Sequence, residues 1–263
     1  MSPPSRAVQR DRMISLSDLF NAWKRRLSGR LRSNEITTPD GRRRAHRYMY
    51  WFDFEIFRRR WSNLHQIAPG VWRSNQPTEA RYDEIAALGV RTILNLRGAE
   101  QSPYWLFESE HCVRLGIRLV GVAFKASHAP ARERMLELIE IYRWIETPFL
   151  LHCNSGADRA GLASAIYLLA IEGSTVEAAR AMLSLRFLHV RYHTTGGLDL
   201  ILEHFAKAKA IAEAQGAGAD LTFEAWVRDY YDAEAIQAEF TARPLWRRAD
   251  GPGLAFVAPK AAQ

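Results

Sequence analysis

The chain has 263 residues, is 48% hydrophobic and carries a net charge of +7, a composition that can bury a core and excludes a disordered or fibrous protein. No stretch approaches the roughly 18 consecutive apolar residues of a spanning helix, and no secretory signal is recognisable, so we expect a soluble, cytoplasmic protein. Two cysteines, Cys112 and Cys153, favour thiol chemistry in a reducing compartment over a disulfide framework.

The basic charge is concentrated at the amino terminus. Residues 1–60 contain 15 Lys or Arg against 6 Asp or Glu, a net charge of +9, and the rest of the chain has a net charge of −2. We expect residues 1–45 to form a mostly flexible arm with one short helix at 17–27. The arm is either a solvated tail or a contact for an acidic partner or an anionic membrane surface, and no specific nucleic acid is expected.

Residues 46–63 are predicted to be a connecting segment. Its aromatic run at 48–57 is followed by Arg58, Arg59 and Arg60. Such a segment could rest on a membrane surface. It is short for an interfacial helix, however, and aromatic side chains usually become buried, so packing on the neighbouring domain is the preferred interpretation.

Strand and helix patterns alternate from residue 69 onward. The expected strands are 71–73 at a sheet edge, 90–96, 117–124 and 149–151, and the expected helices are 78–88, 104–115, 130–145 and 159–171. This order predicts an α/β fold with a central, mainly parallel sheet flanked by helices.

The pattern after residue 174 is helical. The expected helices are 176–187, 198–214, 223–230 and 233–240. We therefore divide the chain into a catalytic domain at 64–192, an extra helical carboxyl-terminal region at 193–243 that packs on it, and a tail at 244–263.

The most specific pattern is an apolar strand that runs through a tight loop directly into an apolar helix. The loop reads His152, Cys153, Asn154, Ser155, Gly156, Ala157, Asp158 and Arg159. A loop that enters a helix amino terminus directs backbone N–H groups and the helix dipole at one point, which favours an anion. The same field stabilises a thiolate at Cys153, and the planar guanidinium of Arg159 can grip two phosphoryl oxygens. Gly156 permits the turn.

These residues resemble the H-C-x5-R signature of the protein tyrosine phosphatase superfamily, in the form found in its dual-specificity-like members. Residues 71–77 and 88–97 look like the amino-terminal half of its atypical branch, which includes plant, fungal-type and bacterial phosphatases. The resemblance covers residues 64–190. It implies a phosphotyrosine phosphatase-like fold and a cysteine-dependent phosphatase that requires no metal and no organic cofactor.

The resemblance also implies roles for single residues. Cys153 would attack phosphorus and form a phosphocysteine, His152 would support the thiolate, and Arg159 would stabilise the phosphoryl oxygens. The expected substrate-binding residues of the loop are Asn154, Ser155, Gly156, Ala157, Asp158 and Arg159. Arg97, at the carboxyl end of a central strand, would contact the substrate or support the loop. The alternatives are a small buried residue at Cys153, a core histidine at His152 and a surface residue at Arg97.

Two features depart from the family pattern. Ala160 stands where members usually have Ser or Thr, whose hydroxyl assists hydrolysis of the phosphocysteine, so the second step is expected to be slow. The movable loop, residues 124–130 here, has no carboxylate to act as general acid and offers His128 instead. Asp158 is the other candidate, because the myotubularin branch has an acid at that place. Its alternative role is an N-cap of the following helix.

The charges of the loop indicate the substrate class. Asn154, Ser155 and Ala157 are neutral and Asp158 is negative, whereas loops that accept inositol phosphates tend to contain lysines. A phosphate monoester is therefore expected, most plausibly phosphotyrosine on a protein, with dual specificity as an extension. Lys125, together with His128 and the basic arm, could restore positive charge.

Other functional classes remain open at this point. One is a phosphoprotein-binding relative with slow turnover, which Ala160 makes conceivable. Another is an inositol phosphate or small-molecule phosphatase. A third, a sulfur transferase with a persulfide on Cys153, does not explain a histidine before the cysteine or Arg159 at the end of the loop.

Overall fold

The structure is a computed structural model, and it describes residues 28–29, 34–125, 127–191, 195–216 and 221–243. The helix expected at 17–27 and the tail at 244–263 lie outside these residues. Within the described part of the chain, no helix combines the length and the apolar composition that crossing a lipid bilayer requires.

A five-stranded sheet forms the centre of the fold. Its strands are β1 (His65–Ala68), β2 (Val71–Asn75), β3 (Thr92–Asn95), β4 (Arg118–Gly121) and β5 (Phe149–Cys153). Their order across the sheet is β1-β2-β5-β3-β4, and every neighbouring pair is parallel except β1 with β2. This arrangement confirms the predicted α/β fold with a mainly parallel sheet.

Helices cover both faces of the sheet and continue beyond it. They are α1 (Pro39–Trp51), α2 (Glu55–Arg58), α3 (Tyr82–Ala87), α4 (Pro103–Leu115), α5 (Arg132–Trp144), α6 (Asp158–Ala170), α7 (Val176–Ala181), α8 (Gly197–Ala214), α9 (Phe223–Asp229) and α10 (Ala233–Ala242). Two short 3₁₀ turns, Glu79–Arg81 and Leu185–Phe187, precede α3 and follow α7. The helices predicted at 78–88 and 176–187 are therefore shorter than expected.

The prediction that residues 71–73 form an edge strand is wrong. β2 lies inside the sheet, where it pairs with β5 in parallel and with β1 in antiparallel orientation. The reason is the preceding strand β1, which folds back through a tight turn at Gly70 (φ 72°) and takes the edge position. β2 consequently reaches the loop that follows β5.

Alternate residues of the central strands face two separate cores. Leu94, Phe149 and Leu151 point into the larger core, which α5, α6 and the carboxyl-terminal helices complete. Ile93 and Leu150 point to the opposite face, where they pack against α3 and α4. All five side chains are fully buried, which explains why β3 and β5 read as continuous apolar runs instead of alternating ones.

Helix α1 begins inside the segment that was predicted to be a flexible arm. Thr38 caps it by accepting a hydrogen bond from the Gly41 amide (3.2 Å). Ala45 and Met49 are buried against Phe107 of α4. The boundary at residue 45 therefore cuts through a packed helix, because the buried positions recur every four residues along an otherwise basic sequence.

This packing predicts different stabilities for two truncated proteins. A chain that starts at residue 46 loses the buried side chain of Ile36, the cap at Thr38 and the first turns of α1. Its melting temperature should fall by about 5–10 °C, since burial of one such side chain is worth about 2 kcal/mol. A chain that starts at residue 34 keeps these contacts and is the control. Equal melting temperatures of both truncations in a thermal unfolding experiment would contradict the packing of α1.

Candidate active site

Cys153 is the last residue of β5 and lies where the carboxyl ends of three parallel strands meet. It is aligned with Asn75 of β2, and the preceding residue, His152, with Asn95 of β3. Its side chain is almost completely buried, and α6 begins five residues later at Asp158. Cys112, the other free cysteine, belongs to the second core, where burial raises the pKa of its thiol. The two thiols are therefore in different environments.

Gly156 allows the loop to lie directly on β2. Its φ of 73° is in the left-handed region, which favours glycine. A Cβ atom at this position would lie 2.7 Å from the backbone nitrogen of Asn75 and 2.8 Å from the carbonyl oxygen of Ser74. No other residue fits here without moving the strand or the loop.

Arg73 of β2 binds the carbonyl oxygens of the loop. Its side chain is fully buried, and its Nη2 donates hydrogen bonds to the carbonyl oxygens of Gly156 (2.7 Å) and Ala157 (3.2 Å), while Nη1 donates to Met182 (2.9 Å). Burial lowers the pKa of Arg73 to about 10. Because the N–H and C=O of a trans peptide point in opposite directions, these bonds turn the amides of Ala157 and Asp158 away from Arg73. The loop amides can thus face an anion.

Arg159 lies in the first turn of α6 and has donors that the protein does not use. Among the described residues, its Nε is buried without a hydrogen-bond partner, and its Nη1 lies 3.5 Å from the carbonyl oxygen of Phe124. A buried donor without a partner is costly unless a ligand supplies the acceptor. The guanidinium therefore has capacity for an anion in the loop.

His152 is held by a buried carboxylate. Its Nε2 lies 2.9 Å from Oε1 of Glu108, and both side chains are completely buried. Glu108 also accepts hydrogen bonds from Asn95 (2.5 Å) and Tyr82 (3.3 Å). Burial acts to raise the pKa of Glu108, but His152 and the hydrogen bonds outweigh it and bring that pKa below its ordinary value. The contact with Glu108 is one of distance and charge, since Nε2 of His152 has no aligned hydrogen-bond partner among the described residues, and Nδ1 lies 3.3 Å from the carbonyl oxygen of Cys153. His152 is thus a core histidine that contacts the backbone of Cys153.

Arg97 is committed to another residue of the protein. Its Nη1 donates to Oδ2 of Asp53 (3.0 Å) and to Gln76 (3.1 Å), and its guanidinium lies 3.5 Å from the ring centroid of Tyr104. Its side chain is only 9% exposed, so it is not the surface residue that was one alternative. Through Asp53, which binds Asn154, these contacts connect Arg97 to the loop. They favour the role of supporting the loop over that of contacting a substrate.

Asp53 connects the amino-terminal segment to the loop. It is buried, forms an ion pair with Arg58 (2.9 Å) and accepts a hydrogen bond from the Asn154 side chain (3.0 Å). Arg58 in turn donates to Oδ1 of Asn154 (3.0 Å). Both polar atoms of the Asn154 side chain, Nδ2 and Oδ1, are therefore hydrogen-bonded to the segment 46–63. This segment contributes to the site instead of only connecting to it.

Asp158 faces a buried histidine that the sequence did not indicate. Its Oδ1 lies 2.7 Å from Nδ1 of His189, and Nε2 of His189 lies 2.7 Å from Oδ2 of Asp199. The predicted alternative for Asp158, an N-cap of α6, is wrong: the N-cap position is Ala157, and no side chain caps this helix. Asp199 is also paired with Arg191 (2.9 Å).

His128, the other candidate acid, lies on an exposed turn before α5. Its Nδ1 is 2.9 Å from the hydroxyl of its neighbour Ser127. Lys125 in the same segment is exposed as well. The contact of Arg159 with Phe124 brings the start of this segment to the loop, whereas no contact recorded among the described residues connects His128 with the loop.

Sequence reasoning did not single out five residues of this site, namely Asp53, Arg73, Glu108, His189 and Asp199. Two of them carry a local signal. Arg73 is a charge within a buried strand, and Glu108 shares the buried face of α4 with Cys112. The other three become recognisable when distant parts of the chain come together.

The pKa of His189 leads to a prediction about stability. Burial acts to lower this pKa, but the hydrogen bonds and charges of Asp158 and Asp199 outweigh it and raise the pKa from 6.5 to about 9. The stabilisation should therefore be complete below pH 6.5 and be lost as the pH rises through about 9. The melting temperature of the wild type should exceed that of His189→Gln at pH 6 by a margin that shrinks towards pH 10.

The matched control is His204→Gln. His204 forms a contact with Glu239 (2.7 Å) that is about one-third exposed, so its loss should cost little. A difference between wild type and His189→Gln that stays constant from pH 6 to pH 10 would contradict the charged state of His189.

A family model and several solved structures are similar to this chain. The model of the family described as "DSP-PTPase phosphatase fused to NAD+ Kinase" matches residues 59–193. No curated protein has a significant sequence match. TpbA of P. aeruginosa, solved in complex with pTyr, is 17% identical with a TM-score of 0.40 over 70% of this chain and 97% of its own.

Two further solved structures are similar. The catalytic domain of the PP-IP phosphatase SIW14 from S. cerevisiae is 19% identical with a TM-score of 0.45, over 60% of this chain and 94% of its own. Tk-PTP is 24% identical with a TM-score of 0.44, over 57% of this chain and 97% of its own. The family match spans more than half of the sequence and contains the whole loop from Cys153 to Arg159. The chain belongs to the DSP-PTPase family, the dual-specificity-type branch of the cysteine-dependent protein tyrosine phosphatases.

Proposed function

We propose that this phosphatase hydrolyses phosphate monoesters, with phosphotyrosine on proteins as the preferred substrate, through a phosphocysteine intermediate. The proposal rests on one observation: the loop that begins at the buried Cys153 ends at Arg159, whose buried Nε has no hydrogen-bond partner among the described residues. An anion at the centre of the loop would satisfy this donor and the loop amides together. It would also lie directly in front of the sulfur at the end of β5.

The first chemical step transfers the phosphoryl group to the enzyme. The thiolate of Cys153 donates an electron pair to phosphorus and forms an S–P bond, while the P–O bond of the ester breaks and its electrons remain on the leaving oxygen. Arg159 and the loop amides stabilise the equatorial oxygens. In the second step water attacks phosphorus, the S–P bond breaks, and inorganic phosphate and the thiolate are released.

The leaving oxygen requires a proton, and we assign its delivery to Asp158. This residue belongs to the loop itself, and Oδ1 accepts from His189 while Oδ2 can carry the proton. Asp158 directly precedes Arg159, the residue proposed to bind the phosphoryl group, at the start of α6. The alternative donor is His128, which a rearrangement of its exposed turn would have to bring closer.

The charges around the loop support a monoester over a polyphosphorylated ligand. Arg58 and Arg97 lie near the loop, but both are buried and both are paired with Asp53. The Nη atoms of both already donate to protein acceptors, although Nε of Arg58 has no partner among the described residues. The loop side chains between Cys153 and Arg159 add no positive charge. A ligand with several phosphates would therefore depend on exposed groups such as Lys125.

A second candidate function, a phosphoprotein-binding protein with slow turnover, is favoured by one observation. Ala160 is completely buried directly after Arg159 and provides a methyl group where a hydroxyl would assist the second step. Binding and formation of the phosphocysteine need no such hydroxyl. Rapid kinetics distinguish the two functions: a burst of one equivalent of product followed by almost no turnover favours the binding function.

Replacement of the nucleophile provides the central test. Cys153→Ser should lower kcat on a phosphotyrosine peptide by roughly 10³-fold or more, since the hydroxyl is a much weaker nucleophile. Binding of a phosphotyrosine peptide to the variant, measured by calorimetry, should persist because Arg159 and the loop remain. Cys112→Ser makes the same atomic change in the second core and is the matched control. Activity of Cys153→Ser within tenfold of the control would overturn the mechanism.

The two candidate acids predict different substrate dependences. If Asp158 protonates the leaving group, Asp158→Asn should reduce kcat on phosphotyrosine by roughly 10²–10⁴-fold, and far less on an aryl phosphate whose phenol is acidic. The good leaving group needs no proton. His128→Ala should then leave both rates nearly unchanged. The opposite pattern would assign the proton to His128, and small equal losses in both variants would reject both residues.

A further inference from the structure

A buried bridge connects the phosphate loop to the carboxyl-terminal helices. His189 is completely buried and lies between Asp158 at the start of α6 and Asp199 in the first turn of α8, with 2.7 Å on each side. The backbone N–H of His189 donates a hydrogen bond to the carbonyl oxygen of Ser184 (3.1 Å), which holds the main chain at this residue. The start of α6, 31 residues before His189, and the start of α8, 10 residues after it, thus meet at one imidazole.

Both ring nitrogens of His189 face carboxylate oxygens, and this arrangement suits an imidazolium that donates at both positions. A buried histidine with a purely structural role needs only one acceptor and can remain neutral. Arg191 lies 2.9 Å from the other oxygen of Asp199, and Arg73 acts electrostatically on Asp158 from below. Once Asp158 has given its proton to the leaving oxygen, the bridge contains two carboxylates, one imidazolium and Arg191, a neutral set that can stay buried.

The contact with His189 orients the carboxyl group of Asp158 and thereby determines the position of Oδ2. Oδ1 is held by His189, and the side chain caps no helix. The side chain of Asp158 is 21% exposed, so part of it remains accessible although Oδ1 faces the buried His189. Without His189, the side chain would be free to rotate about χ1 and χ2 and would lose this orientation.

We propose that His189 is a positioning residue that orients Asp158 for proton transfer to the leaving group, and that Asp199 anchors His189 for this purpose. This inference rests on the proposed function and deepens it. According to this proposal, the start of α8 in the helical carboxyl-terminal region supports proton transfer through Asp199. His189 itself does not touch the substrate.

Two substitutions of His189 separate its contacts. The side-chain amide nitrogen of His189→Asn is near the place of Nδ1 and can still donate to Asp158. That of His189→Gln is near the place of Nε2 and can reach only Asp199. We expect His189→Gln to reduce kcat on phosphotyrosine by about 10-fold to 100-fold, the usual effect of misplacing a catalytic group by about 1 Å. His189→Asn should recover most of this loss, and KM should change little in both variants.

A double-mutant cycle then tests whether His189 acts through Asp158. In an Asp158→Asn background, His189→Gln should reduce kcat by less than about threefold, because the group that it orients is already gone. The effect should also be small on an aryl phosphate with an acidic phenol, in either background. His204→Gln, which removes a histidine–carboxylate contact of the same helix α8, is the control and should have no effect.

Several results would overturn the proposal. These are equal losses for His189→Gln with and without Asp158, equal losses on both esters, or a larger loss for His189→Asn than for His189→Gln. If His189→Gln does not fold, Asp199→Asn loosens the same bridge from its outer end and must show the same dependence on Asp158. Failure of the proposed function is recognised separately, since Cys153→Ser would then remain active while the bridge variants would be irrelevant to the rate.

Discussion

The contact of Arg73 with the loop carbonyls is the interaction on which the rest of the site depends. A loop that binds an anion must direct its amides inward, and its carbonyl oxygens then need donors on the outside. The guanidinium of Arg73 supplies them for Gly156 and Ala157 from a position that is fully buried. Desolvation of this arginine is costly, as its lowered pKa indicates, and several hydrogen bonds offset that cost.

Three buried carboxylates from different parts of the chain hold further residues in or next to the loop. Asp53 comes from the segment before the sheet and holds Asn154, Glu108 comes from α4 and holds His152, and Asp199 comes from α8 and holds His189. Asp53 and Glu108 contact Asn154 and His152 of the motif directly, and Asp199 acts through His189, which contacts Asp158. The site is therefore supported by three separate parts of the chain. Loss of one partner would leave the other as an uncompensated buried charge.

The same pairing determines which charges a substrate encounters. Arg58 and Arg97 would attract phosphate if they were exposed, but both side chains are largely buried and share the single negative charge of Asp53, which offsets half of their positive charge. The cationic group that belongs to the loop itself is Arg159, whose Nε lacks a partner among the described residues. Nε also lacks a partner in Arg58, Arg73 and Arg180, but the Nη atoms of Arg58 and Arg73 donate to protein acceptors. The proposal of a monoester substrate therefore rests on Arg159 together with the neutral side chains of Asn154, Ser155 and Ala157.

The order of strands and helices from residue 71 onward and the motif from His152 to Arg159 follow from the sequence alone, because each depends on neighbours within a few residues. The sequence also indicates that Gly156 permits a turn, but its close approach to Ser74 and Asn75 of β2 is a tertiary contact. The interior place of β2, the start of α1 before residue 45 and the partners of Arg97 were decided by the tertiary structure. So was the pairing of Asp158 with a histidine 31 residues away. Short-range patterns report backbone conformation and burial, whereas a buried charge is paired with whatever group the fold brings to it. Local sequence carries no record of that partner, and the supporting residues of this site could therefore be recognised only once the chain was folded.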